Sequence, residues 1–176
     1  MPRPEHAAAE PAILALLRER PRHGYDVARA LRDPAGLGAV LTVETSAVYA
    51  LLKELEEEGL VEGHVERVGA RPPRTVYVLT PSGERAVDDW LATPVRRMRE
   101  VRLDFLCKLY FAERIGGRAV GRLVDAQAAE CEAYAVRVRR AAENAAPGSY
   151  LAGVWESKRT AAEATLAWLR GLARRD

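Results

Sequence analysis

Apolar side chains recur along much of this 176-residue chain at spacings of three and four, the signature of helices with one buried face. Ile13, Leu14, Leu16 and Leu17 predict a first helix from Glu10, with Pro11 in its first turn and Pro21 ending it. Residues 1–9, MPRPEHAAA, carry no apolar period and are expected to fray. A second helix is predicted from His23-Gly24-Tyr25 to about Arg32, with Val27, Ala30 and Leu31 inward. The turn-rich DPAGLGAVLT at 33–42 follows, and its Val40–Thr42 end is expected to form a short strand flanking a hairpin. In the third helix Val48, Leu51, Leu52 and Leu55 share one face, with Thr45 as N-cap and Gly59 as the C′ stop.

The period then changes from helical to two. Val61, Val65 and Val68 alternate with Glu62, His64 and Glu66, and Val76 and Val78 recur over Thr75–Leu79, which predicts two paired strands. Between them, in GARPPR, Gly69 allows a sharp turn, Pro72 and Pro73 stiffen it, and Arg71 and Arg74 are held outward at its tip. Thr80-Pro81 caps and restarts a helix to about Ala92, with Val87, Trp90 and Leu91 apolar.

Pro94 marks a boundary, after which Arg96, Arg97, Arg99 and Arg102 form either a solvated helix face or a contact for DNA or an acidic partner. Leu103, Phe105, Leu106, Leu109, Tyr110 and Phe111 cover so much of a helix that it must be largely buried. From about Gly117 to Asn144, Val124, Cys131 and Val138 interleave with Ala128, Ala135 and Ala142 as a heptad seam of small residues. Pro147-Gly148 breaks it, and Leu151, Trp155, Ala162, Leu166 and Leu169 repeat it to about Ala173. Such seams pair within one chain or across a dimer axis. The fold class predicted is mainly α with a small β-wing: a winged helix-turn-helix over residues 10–92, then a long-helix dimerisation domain over 94–174.

The third helix and the hairpin carry the candidate chemistry. Ser46, Tyr49 and Lys53 fall on one face, and a hydroxyl, a phenol and an ammonium suit phosphates and base edges better than a core. A capped helix joined to a hairpin tipped by Arg71 and Arg74 is the winged-helix arrangement, in which the helix enters the major groove and the wing follows the backbone or minor groove. A two-fold protein would match a palindromic site, so a homodimer assembled by the C-terminal helices is expected.

Composition sets limits on this reading. No run approaches the ~18 apolar residues of a membrane span, and the first thirty residues lack a signal-peptide pattern, so a cytoplasmic protein is expected. Residues 1–85 hold 11 basic against 13 acidic side chains, so charge argues for nucleic acid only through the local cluster of Lys53, Arg71 and Arg74. Cys107 and Cys131 lie in apolar surroundings and read as buried thiols or, alternatively, a redox pair. No nucleophile elbow, phosphate loop, dinucleotide fingerprint or metal-spaced histidine appears, so neither catalysis, a metal nor a cofactor is expected.

Several short motifs stand in a telling order: His23-Gly24-Tyr25, Val48-Tyr49 with Leu52 and Leu55, Glu58-Gly59-Leu60-Val61, and Pro72-Pro73-Arg74 through Tyr77 and Leu79-Thr80 to Gly83. Over roughly residues 12–90 the chain resembles a PadR-family transcriptional regulator. The remainder resembles, more weakly, the helical dimerisation domain of the longer PadR subgroup related to virulence-gene activators. The resemblance implies repression, and it implies that Tyr25 reaches a DNA phosphate, against the alternative that it closes the core's edge. Family members often carry Ser or Thr two residues before the recognition-helix Tyr; here Ala47 stands there, and Thr45 or Ser46 would supply that contact. It also implies a small aromatic or drug-like effector, for which Trp90, Trp155 and Trp168 are stacking candidates or else core and seam residues. The competing reading is a winged helix that binds a protein partner through its acidic surface and has no operator.

Overall fold

The computed structural model describes residues 4–67 and 73–173, which form two compact units. The first spans Met1–Ala92 with Arg102–Phe111; the second spans Thr93–Val101 with Ala112–Asp176.

In the first unit, helices α1 (Pro4–Glu19), α2 (Gly24–Leu31), α3 (Thr45–Glu57) and α4 (Pro81–Ala92) surround one apolar core, and strands β1 (Arg22–His23), β2 (Val61–Glu66) and β3 (Arg74–Leu79) form a small sheet. This is a winged helix with a three-stranded antiparallel sheet in the order β1-β3-β2. The predicted core face of α3 is buried at Val48, Leu51, Leu52 and Leu55.

Three local expectations are corrected. The helix α1 starts at Pro4 rather than Glu10, so Pro11 sits inside it. Alanine is the best helix former, and burial of Ala8, Ala9, Ala12 and Ile13 holds the helix together across the backbone donor that Pro11 lacks. The flanking strand comes from Arg22–His23, which pairs with Tyr77 and Val76, and not from Val40–Thr42. There the backbone closes on itself instead: the N–H groups of Val40 and Leu41 both donate to the Leu37 carbonyl, at 2.9 and 2.8 Å. Lastly, the N-cap of α3 is Glu44, with Thr45 the first helical residue.

The end of α3 and the start of α4 are tied together. Gly59 has φ +71°, and a left-handed C′ residue lets the Gly59 and Leu60 amides reach back to the Glu56 and Leu55 carbonyls, at 3.0 and 2.9 Å. Thr80 is buried; its hydroxyl donates towards the Gly59 carbonyl (2.8 Å) and accepts the Gly83 N–H (3.1 Å), while its own N–H donates to the Leu60 carbonyl (3.1 Å). It therefore caps α4 and anchors the end of α3 together. A Cβ at Gly83 would collide with the Leu60 carbonyl oxygen and stand 2.5 Å from Leu79 Cδ1.

A tight π-type turn over Val101–Phe105 leads into α5 (Leu106–Ile115). Phe105, Cys107, Leu109 and Phe111 are buried as the sequence predicts, but so is Lys108, at 2% exposure. Its ammonium lies 3.3 Å from Asp104, whose carboxylate also accepts the Trp90 indole N–H at 2.8 Å. Burial holds the Lys108 pKa below its ordinary value, against the opposing pull of Asp104.

In the second unit α6 (Ala119–Glu143) and α7 (Tyr150–Leu172) pair as a helical hairpin within the chain. Val124, Cys131, Ala135 and Val138 of α6, and Ala162, Leu166 and Leu169 of α7, are buried, while Leu151 is exposed. The buried Gln127 amide accepts from the Val95 N–H and donates to the Val95 carbonyl, both at 2.8 Å, which fixes the arginine-rich stretch to α6. Among the described residues no helix is long and apolar enough to cross a membrane.

Two outcomes test this packing. Gly83→Ala should cost about 1–3 kcal/mol of stability through overpacking, read as a lower denaturant midpoint; an unchanged midpoint would contradict the close approach. Both thiols are free and buried, and desolvation raises Cys131 and pushes Cys107 up to about 12. The folded protein should therefore resist thiol reagents at neutral pH, and both cysteines should titrate only on unfolding.

Candidate nucleic-acid interface

The solvent face of α3 follows from the face it buries. With Val48, Leu51, Leu52 and Leu55 inward, Ser46, Tyr49, Ala50 and Lys53 are left exposed, and the spacings of three and four keep Ser46, Tyr49 and Lys53 on one side. Tyr49 is 46% exposed, and the other part of its ring lies against α2: a Cβ at Gly24 would stand 2.6 Å from Tyr49 Cε1. Gly24 thus makes a seat that aims the phenol outward. Thr45 is half-buried in the first helical turn, beside the positive end of the helix dipole. The Lys53 ammonium pairs with Glu57 at 3.4 Å, both side chains well exposed; such a pair is weak and readily exchanged for another anion.

Tyr25 is 60% exposed at the start of α2, so it does not close the edge of the core. In the wing, β2 and β3 pair from Val61 with Leu79 out to Glu66 with Arg74. The expected inward Val alternation holds only at its base: Val61 is buried but Val65 is 66% exposed, because the outer hairpin extends past the core. Arg74 is exposed at the first position of β3, and Arg71 lies outside the described residues.

Charge is graded along α3. From Thr45 to Lys53 it offers hydroxyls, Tyr49 and Lys53, whereas Glu54, Glu56, Glu57 and Glu58 are exposed towards its end. That acidity is felt nearby: burial first, then Glu58 and Glu54, raise the Glu10 pKa, and burial, then Glu56 and Tyr49, raise that of Tyr77. An open cleft of about 470 Å³ beside β1 is lined by Arg20, Arg22, His23, Asp26, Arg29 and Glu66. Two of its arginines are already paired, Arg22 with Glu19 at 2.7 Å and Arg29 with Asp26 at 3.3 Å, so it does not concentrate uncompensated positive charge.

The three tryptophans are divided between the two units. Trp90, in the first unit, is half-buried, bonded to Asp104 and in edge contact with Phe111 at a 6.0 Å centroid separation. Trp155 and Trp168 lie on α7 in the second unit, 13 residues and hence roughly 20 Å apart along the helix. The Lys158 ammonium stands 4.5 Å from the Trp155 ring centroid.

Two residues with a part in this face escape a one-dimensional reading. Gly24 is visible in the sequence, but its role under Tyr49 depends on how α2 meets α3. Glu56 looks like one of several solvated acids, yet its Oε1 accepts the Gly63 N–H at 2.9 Å. The available signal was Gly63 itself, since a glycine inside a strand often marks a close approach.

Residues 13–89 match the model of the Transcriptional regulator PadR-like family. The chain carries a PadR-like domain. That domain contains α2, α3, the wing and most of α4. The chain is 32% identical over 100 residues to the negative transcriptional regulator PadR of Bacillus subtilis, covering 57% of this chain and 54% of that protein. It is 30% identical over 91 residues to a probable transcriptional regulator of Mycobacterium tuberculosis, covering 52% and 47%. The chain thus spans about half the length of the curated relatives it matches. Among solved structures, Bacillus subtilis PadR in complex with operator DNA aligns with a TM-score of 0.48 and 25% identity, covering 95% of this chain and 98% of that one.

The seating of Tyr49 is testable apart from any ligand. Because the partly exposed ring can swing away, Gly24→Ala should leave stability within about 1–1.5 kcal/mol but shift the Tyr49 ring resonances. Unchanged resonances would contradict the contact.

Proposed function

We propose that the protein is a transcriptional regulator that binds operator DNA through its PadR-like domain. The face of α3 bearing Ser46, Tyr49 and Lys53 enters the major groove, with Thr45 at its leading end, and Arg71 and Arg74 of the wing hold backbone phosphates or a narrow minor groove. Tyr25, at the start of α2, binds a flanking phosphate. The observation that carries this reading is the exposed Tyr49–Lys53 face seated on α2 and joined to a wing whose Arg74 also faces solvent. The resemblance to a negative regulator supports repression, exercised in the cytoplasm.

The protein acts as a homodimer on a palindromic site. Support comes from apolar side chains that the α6–α7 hairpin leaves open, among them Val136, Leu151 and Trp168. Residues 1–85 hold fewer basic than acidic side chains, 11 against 13, so a second DNA-binding face is necessary for tight binding. A small aromatic or drug-like effector releases the operator, with Trp90, Trp155 and Trp168 as the candidates to stack on it; Trp90 and Trp155 are half-buried and Trp168 is exposed.

The acidic end of α3 favours one other reading, a protein-binding winged helix without an operator. Duplexes enriched from a random pool separate the two. Lys53→Ala and Arg74→Ala should each weaken binding about uniformly across sequences and lower the salt slope by roughly one, whereas Tyr49→Ala should change sequence preference. Salt-independent association with protein, and no duplex enriched, would select the second reading.

A further inference from the structure

We propose that Glu56 is a positioning residue that fixes the angle between the recognition helix and the wing. This rests on the DNA-binding reading above. Glu56 lies near the C-terminal end of α3, on the acidic stretch where a carboxylate brings only repulsion towards a nucleic acid. Its Oε1 nevertheless accepts the backbone N–H of Gly63, at 2.9 Å, seven residues on and in a different element.

The surroundings show why this contact has leverage. Among the described residues, β2 is an edge strand in the order β1-β3-β2, with β3 on one side and no strand on the other. Gly63 offers its N–H to α3 there. The approach is closed to any side chain: a Cβ at Gly63 would stand 2.7 Å from Glu56 Oε1, 2.9 Å from Thr75 Cγ2 and 3.4 Å from Tyr77 Cε1. Tyr77, the ladder partner of Gly63, lies close enough for Glu56 to help raise its pKa, after the larger effect of burial.

Beyond Gly63 the strand loses the core. His64, Val65 and Glu66 are exposed, so β2 takes its outer direction from its last anchor on α3 and from the ladder with β3, which β1 holds in turn at Tyr77 and Val76 and through His23 beside the Thr75 carbonyl. Glu66, the ladder partner of Arg74, lies three residues further, roughly 10 Å along the strand. A tilt of about 10° at Gly63 would then move Arg74 by about 2 Å, enough to lose a phosphate contact.

The test uses the intact protein and a duplex it enriches from a random pool. Glu56→Gln, Glu56→Ala and Gly63→Ala are each combined with Arg74→Ala, and the salt slope of binding is measured for every member. Glutamine keeps an acceptor oxygen, so Glu56→Gln should retain the wild-type slope and the full effect of Arg74→Ala. Glu56→Ala should lose about one unit of slope, and adding Arg74→Ala should then weaken binding less than twofold. Gly63→Ala should behave like Glu56→Ala, because its Cβ displaces the carboxylate.

An Arg74 effect of undiminished size in Glu56→Ala would overturn the proposal. Hydrogen exchange of the Gly63 amide gives a DNA-independent readout: it should be protected in wild type and Glu56→Gln, and fast in Glu56→Ala. If wild type enriches no duplex, the DNA reading itself fails, and Gly63 exchange still decides whether Glu56 holds the wing. Equal Gly63 exchange in all three proteins would reject the clamp whatever the DNA result.

Discussion

Helix α3 and the wing leave the core through one junction, and the buried Thr80 holds it. Its hydroxyl bonds the carbonyls of Gly59 and Leu60 and accepts the Gly83 N–H, while its own N–H donates to the Leu60 carbonyl. Because Thr80 donates to Leu60, the ladder must begin with Val61 opposite Leu79. A slip of one residue would turn each side chain to the other face of the sheet. That register brings Gly63 beside Glu56 and puts Arg74 opposite Glu66, so the aim of the wing descends from a cap at the far end of the hairpin. The left-handed Gly59 and the cramped Gly83 are what let the backbone approach closely enough for these bonds to form.

The α3 surface is organised by contrast. Its buried leucines are fixed by the core, its first half is held against α2 at Gly24, and its acidic end is partly occupied by intramolecular bonds. Glu57 is paired with Lys53 and Glu56 with Gly63. An acid-rich helix is thereby compatible with a nucleic-acid surface, because these carboxylates sit at the end away from Ser46 and Tyr49. The overall count of 11 basic against 13 acidic residues in the first 85 conceals that gradient.

What was legible in the sequence was local and periodic. The core face of α3, the Gly59 stop, the Thr80-Pro81 restart and the α6 seam all follow from spacings of two, three, four or seven, or from a residue with one conformational habit. What was not legible depends on distant neighbours. Arg22–His23 is too short to show a period, and it is a strand only because β3 offers an open edge. Val65 alternates like a core residue but lies beyond the core. Lys108 reads as a polar break in an apolar helix, yet Asp104 allows its burial. In the candidate interface, Ser46, Tyr49 and Lys53 could be placed from helical spacing alone, whereas the Gly24 seat and the Glu56–Gly63 bond exist only once two elements meet.

The most direct measurement of the central claim is enrichment from a random duplex pool by the intact protein, at low and at physiological salt. A dimeric regulator reading DNA with α3 and the wing should enrich one two-fold symmetric motif, with half-sites about one helical turn apart or a multiple of it and affinity that falls steeply with salt. A pool left indistinguishable from its input at both salt concentrations would contradict the account.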